Sequence, residues 1–275
     1  MLRMIPRFLI AVLALLVACP FSVGAHEFWI DPIDHILSPG DTLEANLKVG
    51  QNYAGAVYPL LPGRLTQFSV SGPKGTNDIT GTVGDVPAAR LPEISTGLHI
   101  LAYESTTDRL KFDDWELFNT YVAYEGNDWA VAAHLRAGLP KTGFTEGYRR
   151  YAKSLVQVGE PQTGDADRRI GLAIELVALV SPYLLAPDQQ ELPVQLLWQG
   201  APLAQQQINV FHNSKTTTLS AVTTDQDGRA MVPVTKGGRY LLNAVHMVLN
   251  NTDTDLAWDS HWASLTFEIS ARDSH

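Results

Sequence analysis

Two histidines near the end of the chain lie on strand faces that are otherwise apolar. In the segment "GRYLLNAVHM", His246 follows Tyr240, Leu242 and Ala244 at every second position. Side chains two residues apart point to the same side of a β-strand, so these four share one face. An unpartnered imidazole on an apolar face is costly. The pattern therefore predicts that His246 has a specific partner.

His261 shows the same pattern in the next apolar segment, where it shares a face with Ala263 and Leu265. If the two segments pair antiparallel across the polar loop 251–260, the two histidines approach each other at the same end of the sheet. Directly opposed residues have Cβ atoms about 4.5–5.5 Å apart, within reach of one metal ion. Imidazole binds nickel, cobalt, copper and zinc. We therefore predict that His246 and His261 bind a divalent transition metal.

The first 25 residues have the features of a secretory leader. Arg3 and Arg7 precede an apolar run over 8–18, which is too short to span a bilayer, and small residues precede His26. This interpretation predicts a soluble periplasmic protein. In the alternative, "LVAC" is a lipoprotein signal and Cys19 is the acylated anchor. Cys19 is the only cysteine, so the mature protein has no further thiolate ligands.

Cleavage after Ala25 would make His26 the first residue, and its amine and imidazole could then chelate one metal ion. That arrangement needs one or two further imidazoles. We expect His246 and His261 to supply them if the N-terminus folds back onto their end of the sheet. Cleavage after Val23 would instead place His26 third, as the amino-terminal copper/nickel motif requires.

Three further residues complete the candidate metal site. His99, on a strand-like segment, is a third imidazole. Glu27 adjoins His26, and Asp259 lies two residues before His261. Either carboxylate could bind the metal or fix an imidazole tautomer.

Composition excludes several classes of function. The formal net charge is −9, and loss of Arg3 and Arg7 with the leader would make the chain more acidic, which argues against nucleic acid as a partner. There is no nucleophile elbow, P-loop or H-E-x-x-H motif, so we expect no enzyme. A copper-dependent oxidative enzyme with an amine–imidazole site remains an alternative that rests on His26 alone.

The pattern along the chain predicts a mainly β protein with two β-sandwich domains, of immunoglobulin-like or prealbumin-like type, and a short helical insertion between them. Helices are predicted over 113–126, 127–138 and 145–159. The expected organisation is listed in chain order: a leader over 1–25, an N-terminal β domain over 26–112, a helical segment over 113–160 and a C-terminal prealbumin-like sandwich over 161–275.

The chain resembles the domain-of-unknown-function 4198 family from about residue 26 to 270. The resemblance rests on the order and spacing of "AHEFWIDP", "TEGYRRYAKSLVQVG", "GAPLAQQQINVF", "TDQDGRAMVPV" and "AWDSHWASLTFEI". Members of that family are commonly described as secreted, β-rich components of cobalt or nickel uptake. The resemblance implies transition-metal handling, with His26 and His261 at matching positions.

The leading hypothesis is therefore a periplasmic nickel- or cobalt-binding protein, or an accessory of nickel or cobalt uptake. Copper and zinc also suit the imidazoles. A metal transporter of the inner or outer membrane would be the partner of such a protein. The alternative is a β-sandwich module that binds protein or carbohydrate without metal, in which the histidines are structural.

Overall fold

The computed structural model describes residues 26–186 and 188–271. The predicted leader and Cys19 lie outside that range. The helices are α1 (Trp115–Tyr124) and α2 (Trp129–Arg136), and a 3₁₀ turn covers Pro62–Arg64. The strands are, in chain order, β1 (Glu27–Pro32), β2 (Ile36–Leu37), β3 (Leu43–Gln51), β4 (Ala54–Tyr58), β5 (Leu65–Gly72), β6 (Gly75–Asp78), β7 (Ala89–Leu91), β8 (Gly97–Ser105), β9 (Asp108–Phe112), β10 (Phe144–Val158), β11 (Ile174–Ala178), β12 (Glu191–Trp198), β13 (Ala201–Pro202), β14 (Gln207–Asn213), β15 (Thr217–Thr223), β16 (Arg229–Pro233), β17 (Gly238–Leu249) and β18 (Trp258–Ile269).

A ten-stranded sheet, here called the central sheet, organises the described chain. Its main order is β15-β14-β17-β18-β10-β8-β5-β6, and β2 and β9 also pair with β10. The sheet thus takes strands from both predicted β regions and joins them through β10. β10 runs parallel to β18 and antiparallel to β8. The predicted mainly β sandwich architecture is confirmed.

Two smaller sheets cover the two faces of the central sheet. The N-terminal sheet contains β1, β3, β4 and β7, and the C-terminal sheet contains β11, β12, β13 and β16. Alternate residues of β10 separate the two cores. Leu155 packs with Leu176 and Leu196 of the C-terminal sheet, whereas Val156 packs with Ile30 and Leu47 of the N-terminal sheet. We call these the C-terminal face and the N-terminal face of the central sheet.

The two helices pack beside β1 on the N-terminal face. Phe118 and Val122 of α1 join a buried cluster with Val245, Trp258 and Trp262 from β17 and β18. Aromatic side chains bury large apolar areas, so this cluster anchors the helices to the sheet. No helix among the described residues is both long and apolar enough to cross a bilayer.

The two predicted helices between 113 and 138 are confirmed. α1 begins after Asp114, whose carboxylate accepts a hydrogen bond of 2.9 Å from the backbone N–H of Glu116, and Gly126 follows its end at φ +69°. Only glycine adopts that left-handed conformation without strain. A helix over 127–138 would have Asn127 as its N-terminal cap, but α2 begins after Asp128 and the Asn127 amide donates to the carbonyl of Val245 at 2.8 Å.

The predicted helix over 145–159 is wrong, because this segment forms β10. Tyr148, Ala152 and Leu155 have helical spacing, which suggested one apolar helix face. In the structure Ala152 and Leu155 belong to different cores on opposite sides of the sheet. A central strand that is buried on both faces has no polar side, so its period of two is hidden.

A buried charged group links β10 to the C-terminal sheet. The Nζ atom of Lys153 lies 2.9 Å from Oδ1 of Asp167 and 3.0 Å from Oε1 of Glu175. All three side chains are almost fully buried. A buried charge needs an opposite charge close by, so the three residues stabilise each other in place.

Candidate functional site

His246 and His261 lie directly opposite each other in the antiparallel pairing of β17 with β18. The predicted pairing of these two strands across the loop 251–260 is therefore confirmed. Their neighbours at alternate positions, Ala244 and Ala263, belong to the core under the C-terminal sheet. Both imidazoles thus lie on the C-terminal face, and both are half-buried. Two imidazoles in this relation can bind one metal ion and leave coordination positions open.

Two aromatic residues enclose the histidine pair. The ring of Trp198, at the end of β12, lies 4.9 Å from the ring of His246 and 4.4 Å from that of His261, centroid to centroid. The Tyr151 hydroxyl lies 3.4 Å from Nδ1 of His261. If this hydroxyl accepts the Nδ1 proton, the lone pair of Nε2 on His261 is left for a metal.

The surroundings of the pair favour uncharged imidazoles. Burial, together with the charges of His246 and Arg149, lowers the pKa of His261 to about 4. Burial alone lowers the pKa of His246. Both rings are therefore neutral near pH 7, and the neutral imidazole is the form that binds metals.

The structure does not bring His26 to this pair. His26 precedes β1 and lines a shallow cavity beside Gly50 and Ala54. The carbonyl of Ile30 in β1 accepts a hydrogen bond of 2.7 Å from the Thr266 hydroxyl. Thr266 alternates with residues of the opposite face, so β1 lies on the N-terminal face. His26 and the pair therefore lie on opposite faces of the central sheet, and the three imidazoles do not form one group among the described residues.

His99 is also separate from the pair. It lies on β8 opposite Val156, and its neighbours Leu101 and Tyr103 belong to the core of the N-terminal face. Its Nε2 donates a hydrogen bond of 2.7 Å to the carbonyl of Ser95, and burial lowers its pKa. The other ring nitrogen, Nδ1, lies against Gly72, where a Cβ atom would overlap it. His99 is thus a packed, neutral histidine.

The two candidate carboxylates have other contacts. Glu27 is 2% exposed and its Oε1 accepts a hydrogen bond of 3.3 Å from the Tyr124 hydroxyl. Burial raises the pKa of Glu27. Asp259 lies on the same strand face as His261, but its Oδ2 accepts a hydrogen bond from the Asn250 amide. Among residues 26–186 and 188–271, no three His, Cys, Asp or Glu side chains are grouped closely enough to bind one metal.

Three other histidines have structural roles. His35, His134 and His212 each place a ring nitrogen within 2.9 Å of a backbone carbonyl. His134 also accepts a hydrogen bond of 3.1 Å at Nδ1 from the indole of Trp258. These contacts hold each ring within the fold, although Nε2 of His35 is buried without a hydrogen-bond partner among the described residues.

Sequence reasoning missed two deeply buried carboxylates, Glu125 and Glu146. Burial raises the pKa of Glu125 well above its usual range, and the nearby charge of Glu27 raises it further. Burial raises the pKa of Glu146 to about 7, although hydrogen bonds from Ser260 and Tyr121 oppose that shift. Glu125 could have been noticed in the sequence, because it stands at the C-terminal end of a predicted helix, where the helix dipole disfavours negative charge.

Comparisons with known proteins give little beyond the family. No curated protein matches this sequence. Among solved structures, the BSP domain of a biofilm associated protein has 9% identity and a TM-score of 0.21, over 90% of this chain and 30% of that one. Murine CEACAM1b has 10% identity and a TM-score of 0.20, over 88% of this chain and 100% of that one. The D0-D1 domain of Intimin has 11% identity and a TM-score of 0.19, over 86% of this chain and 96% of that one.

TM-scores this low carry no argument about the chain, and it spans only 30% of the first of these structures. The informative comparison is with a family described as "Domain of unknown function (DUF4198)", whose model matches residues 23–248. That match covers most of the 275 residues. The chain therefore belongs to the DUF4198 family.

Proposed function

We propose that this protein binds a divalent transition-metal ion through His246 and His261 and serves as a periplasmic metal-handling protein. The direct pairing of the two histidines across β17 and β18 carries the proposal. Two imidazoles on one strand face, about 4.5–5.5 Å apart at Cβ, can both reach one ion. The paired strands fix the backbone of both residues, so little order has to be created when the metal binds.

In this site, protein side chains would occupy only two coordination positions of the metal. A structural zinc site uses four protein ligands, whereas a site with fewer keeps positions for water or an incoming group. Because His246 and His261 are half-buried, solvent or a ligand from a partner can complete the coordination. Such a site suits reversible capture and transfer, as in a protein that assists a metal transporter of the inner or outer membrane.

Nickel or cobalt is the proposed cargo. Imidazoles alone do not select these metals, because copper generally binds such ligands more tightly and zinc also suits them. The choice of nickel or cobalt rests on the family resemblance, and the periplasmic location rests on the leader-like segment before His26. A soluble form and a form anchored at Cys19 would place the same site in the same compartment.

Calorimetry on the processed protein tests the proposal. Ni²⁺ and Co²⁺ should bind with one saturable site, and His246→Ala or His261→Ala should each weaken binding at least tenfold, or about 1.4 kcal/mol. His99→Gln is the matched control, because His99 lies on the opposite face of the same sheet and should leave affinity unchanged. Absence of saturable binding by a folded wild-type protein would falsify the proposal.

One observation favours a non-metal binding module as the second candidate. Trp198 packs against both histidine rings, at 4.9 and 4.4 Å between centroids. Such packing of rings stabilises a fold without a metal. In that case the histidines would hold the C-terminal sheet against the central sheet. Loss of stability in His261→Ala, with no metal response in the wild type, would support this alternative.

A further inference from the structure

Three glutamates are buried on the N-terminal face without a cationic partner. Glu27, Glu125 and Glu146 are 2%, 3% and 0% exposed. In the part of the chain that the structure describes, none of them forms an ion pair with lysine or arginine. The buried Asp167 and Glu175 differ, because Lys153 neutralises them. An unpaired buried carboxylate is costly, so each of these glutamates calls for a compensating ligand or proton.

Glu125 carries the greatest electrostatic cost. It caps the C-terminal end of α1, where the helix dipole places partial negative charge. Its Oε2 accepts hydrogen bonds of 3.2 Å from the amides of both Asn209 and Asn243. Two neutral amides hold the carboxylate in position but do not cancel its charge.

Glu27 contacts Tyr124, the residue before Glu125, and its charge lies close enough to raise the pKa of Glu125. The Tyr124 hydroxyl is 3.3 Å from Oε1 of Glu27 and 3.3 Å from Oδ1 of Asn52. One hydroxyl proton cannot serve both acceptors at once. The other carboxylate oxygen of Glu27, Oε2, has no hydrogen-bond partner within residues 26–186 and 188–271. The donors to Glu27, which are the Tyr124 hydroxyl and the backbone N–H groups of Glu27 and Asn52, are all neutral and do not cancel its charge.

An independent observation comes from Asn243, which is 1% exposed. Its amide nitrogen donates to Oε2 of Glu125, so the side chain points toward that carboxylate. Its Oδ1 is buried and unpartnered among the described residues. Buried polar atoms are nearly always satisfied in native proteins, so an orphaned oxygen on a side chain that contacts the Glu125 carboxylate indicates a missing electron-pair acceptor.

We propose that Glu27, Glu125 and Asn243 form a binding site for a hard divalent cation of the Ca²⁺ type, between β1 and the C-terminal end of α1. Carboxylate and amide oxygens are the ligands that Ca²⁺ prefers, and water can complete its six to eight positions. The site lies on the opposite face of the central sheet from His246 and His261 and shares no residue with them. Its oxygen donors select a different class of metal from the imidazole pair.

Terbium luminescence on the full processed chain tests this site. Tb³⁺ takes the place of Ca²⁺, and excitation of Tyr124 beside Glu27 should sensitise its emission. We expect saturable emission that Ca²⁺ displaces, and at least tenfold weaker Ca²⁺ binding in Glu125→Gln and in Glu27→Gln. Glu93→Gln controls for loss of one acidic charge elsewhere and should bind as the wild type does.

Thermal unfolding separates loss of the site from loss of the fold. Glu125→Gln removes an unpaired charge, so its Tm without Ca²⁺ should match or exceed that of the wild type. Saturating Ca²⁺ should raise the Tm of the wild type but not that of Glu125→Gln. If Ca²⁺ leaves the wild-type Tm unchanged, or if Glu125→Gln and Glu27→Gln both retain wild-type affinity, the site does not exist.

A double variant keeps this inference distinct from the proposed function. His246→Ala/His261→Ala should lose Ni²⁺ binding and retain Ca²⁺ binding, whereas Glu125→Gln should do the reverse. Loss of Ca²⁺ binding in the double histidine variant, with the fold intact, would contradict a separate oxygen site.

Discussion

His246 and His261 are direct partners in the antiparallel pairing of β17 with β18, and this register places both imidazoles on one face of the central sheet. The pairing continues across the next strand, where Arg149 of β10 lies opposite His261. A row of three side chains thus crosses three strands, with two imidazoles and one cation. The positive charge of Arg149 would repel a metal cation at the histidine pair.

Arg149→Gln should strengthen binding of Ni²⁺ at the histidine pair. The Arg149 side chain is 43% exposed, so solvent screens its repulsion and the gain should be about threefold at low salt. Calorimetry at low ionic strength and at about 0.5 M NaCl measures the effect, which should shrink with salt. Equal affinities of variant and wild type at low salt would show that Arg149 does not act on a bound metal.

Lys153→Met should destabilise the protein strongly, because it leaves Asp167 and Glu175 buried without a cation. Removing one partner of a buried ion pair costs about 3–5 kcal/mol. Urea unfolding measures the loss. Lys48→Met is the matched control, since Lys48 pairs with Asp31 at 2.8 Å and is 29% exposed, and its loss should stay below about 1 kcal/mol. Similar losses in both variants would contradict this role for Lys153.

Glu146 should make the folded protein less stable as the pH rises. Its pKa is raised from 4.5 to about 7 in the folded state, so the folded state holds the proton more tightly than the unfolded state. The stabilisation is present below pH 4.5 and is lost as the pH rises through about 7. Relative to Glu146→Gln, the wild type should lose on the order of 3 kcal/mol across that window.

Urea unfolding at several pH values between about 4 and 8 measures the difference between wild type and Glu146→Gln. Only the part of the pH dependence that the variant lacks is assigned to Glu146, since other buried groups titrate in both proteins. Parallel curves for the two proteins would mean that Glu146 has the same pKa in the folded and unfolded states, which would contradict this prediction.

The pairing of His246 with His261 could be predicted because each lies on a strand with apolar residues at every second position. A polar loop of suitable length joins the two strands, so an antiparallel pair was the simplest arrangement. Local pattern and chain connectivity were sufficient in this case. The same reasoning found α1, whose Asp114 cap and Gly126 stop are local signals.

The strand β10 could not be found in this way, because its Ala152 and Leu155 enter different cores. An alternation of apolar and polar residues appears only where a strand has one buried and one exposed side. β10 has no exposed side over most of its length. The face on which His26 lies could not be predicted for a related reason. The face on which β1 packs is decided by long-range contacts, such as that of Ile30 with Thr266, which leave no mark in the local sequence.

Nuclear magnetic resonance of the histidine rings tests the central claim most directly. The processed protein, labelled with ¹⁵N in its histidines, would be titrated with diamagnetic Zn²⁺ and its ring nitrogens followed. The account predicts that the signals of His246 and His261 change together and saturate at one equivalent, while that of His99 stays unchanged. Saturable binding that leaves both His246 and His261 unperturbed, or no binding by the folded protein, would contradict it.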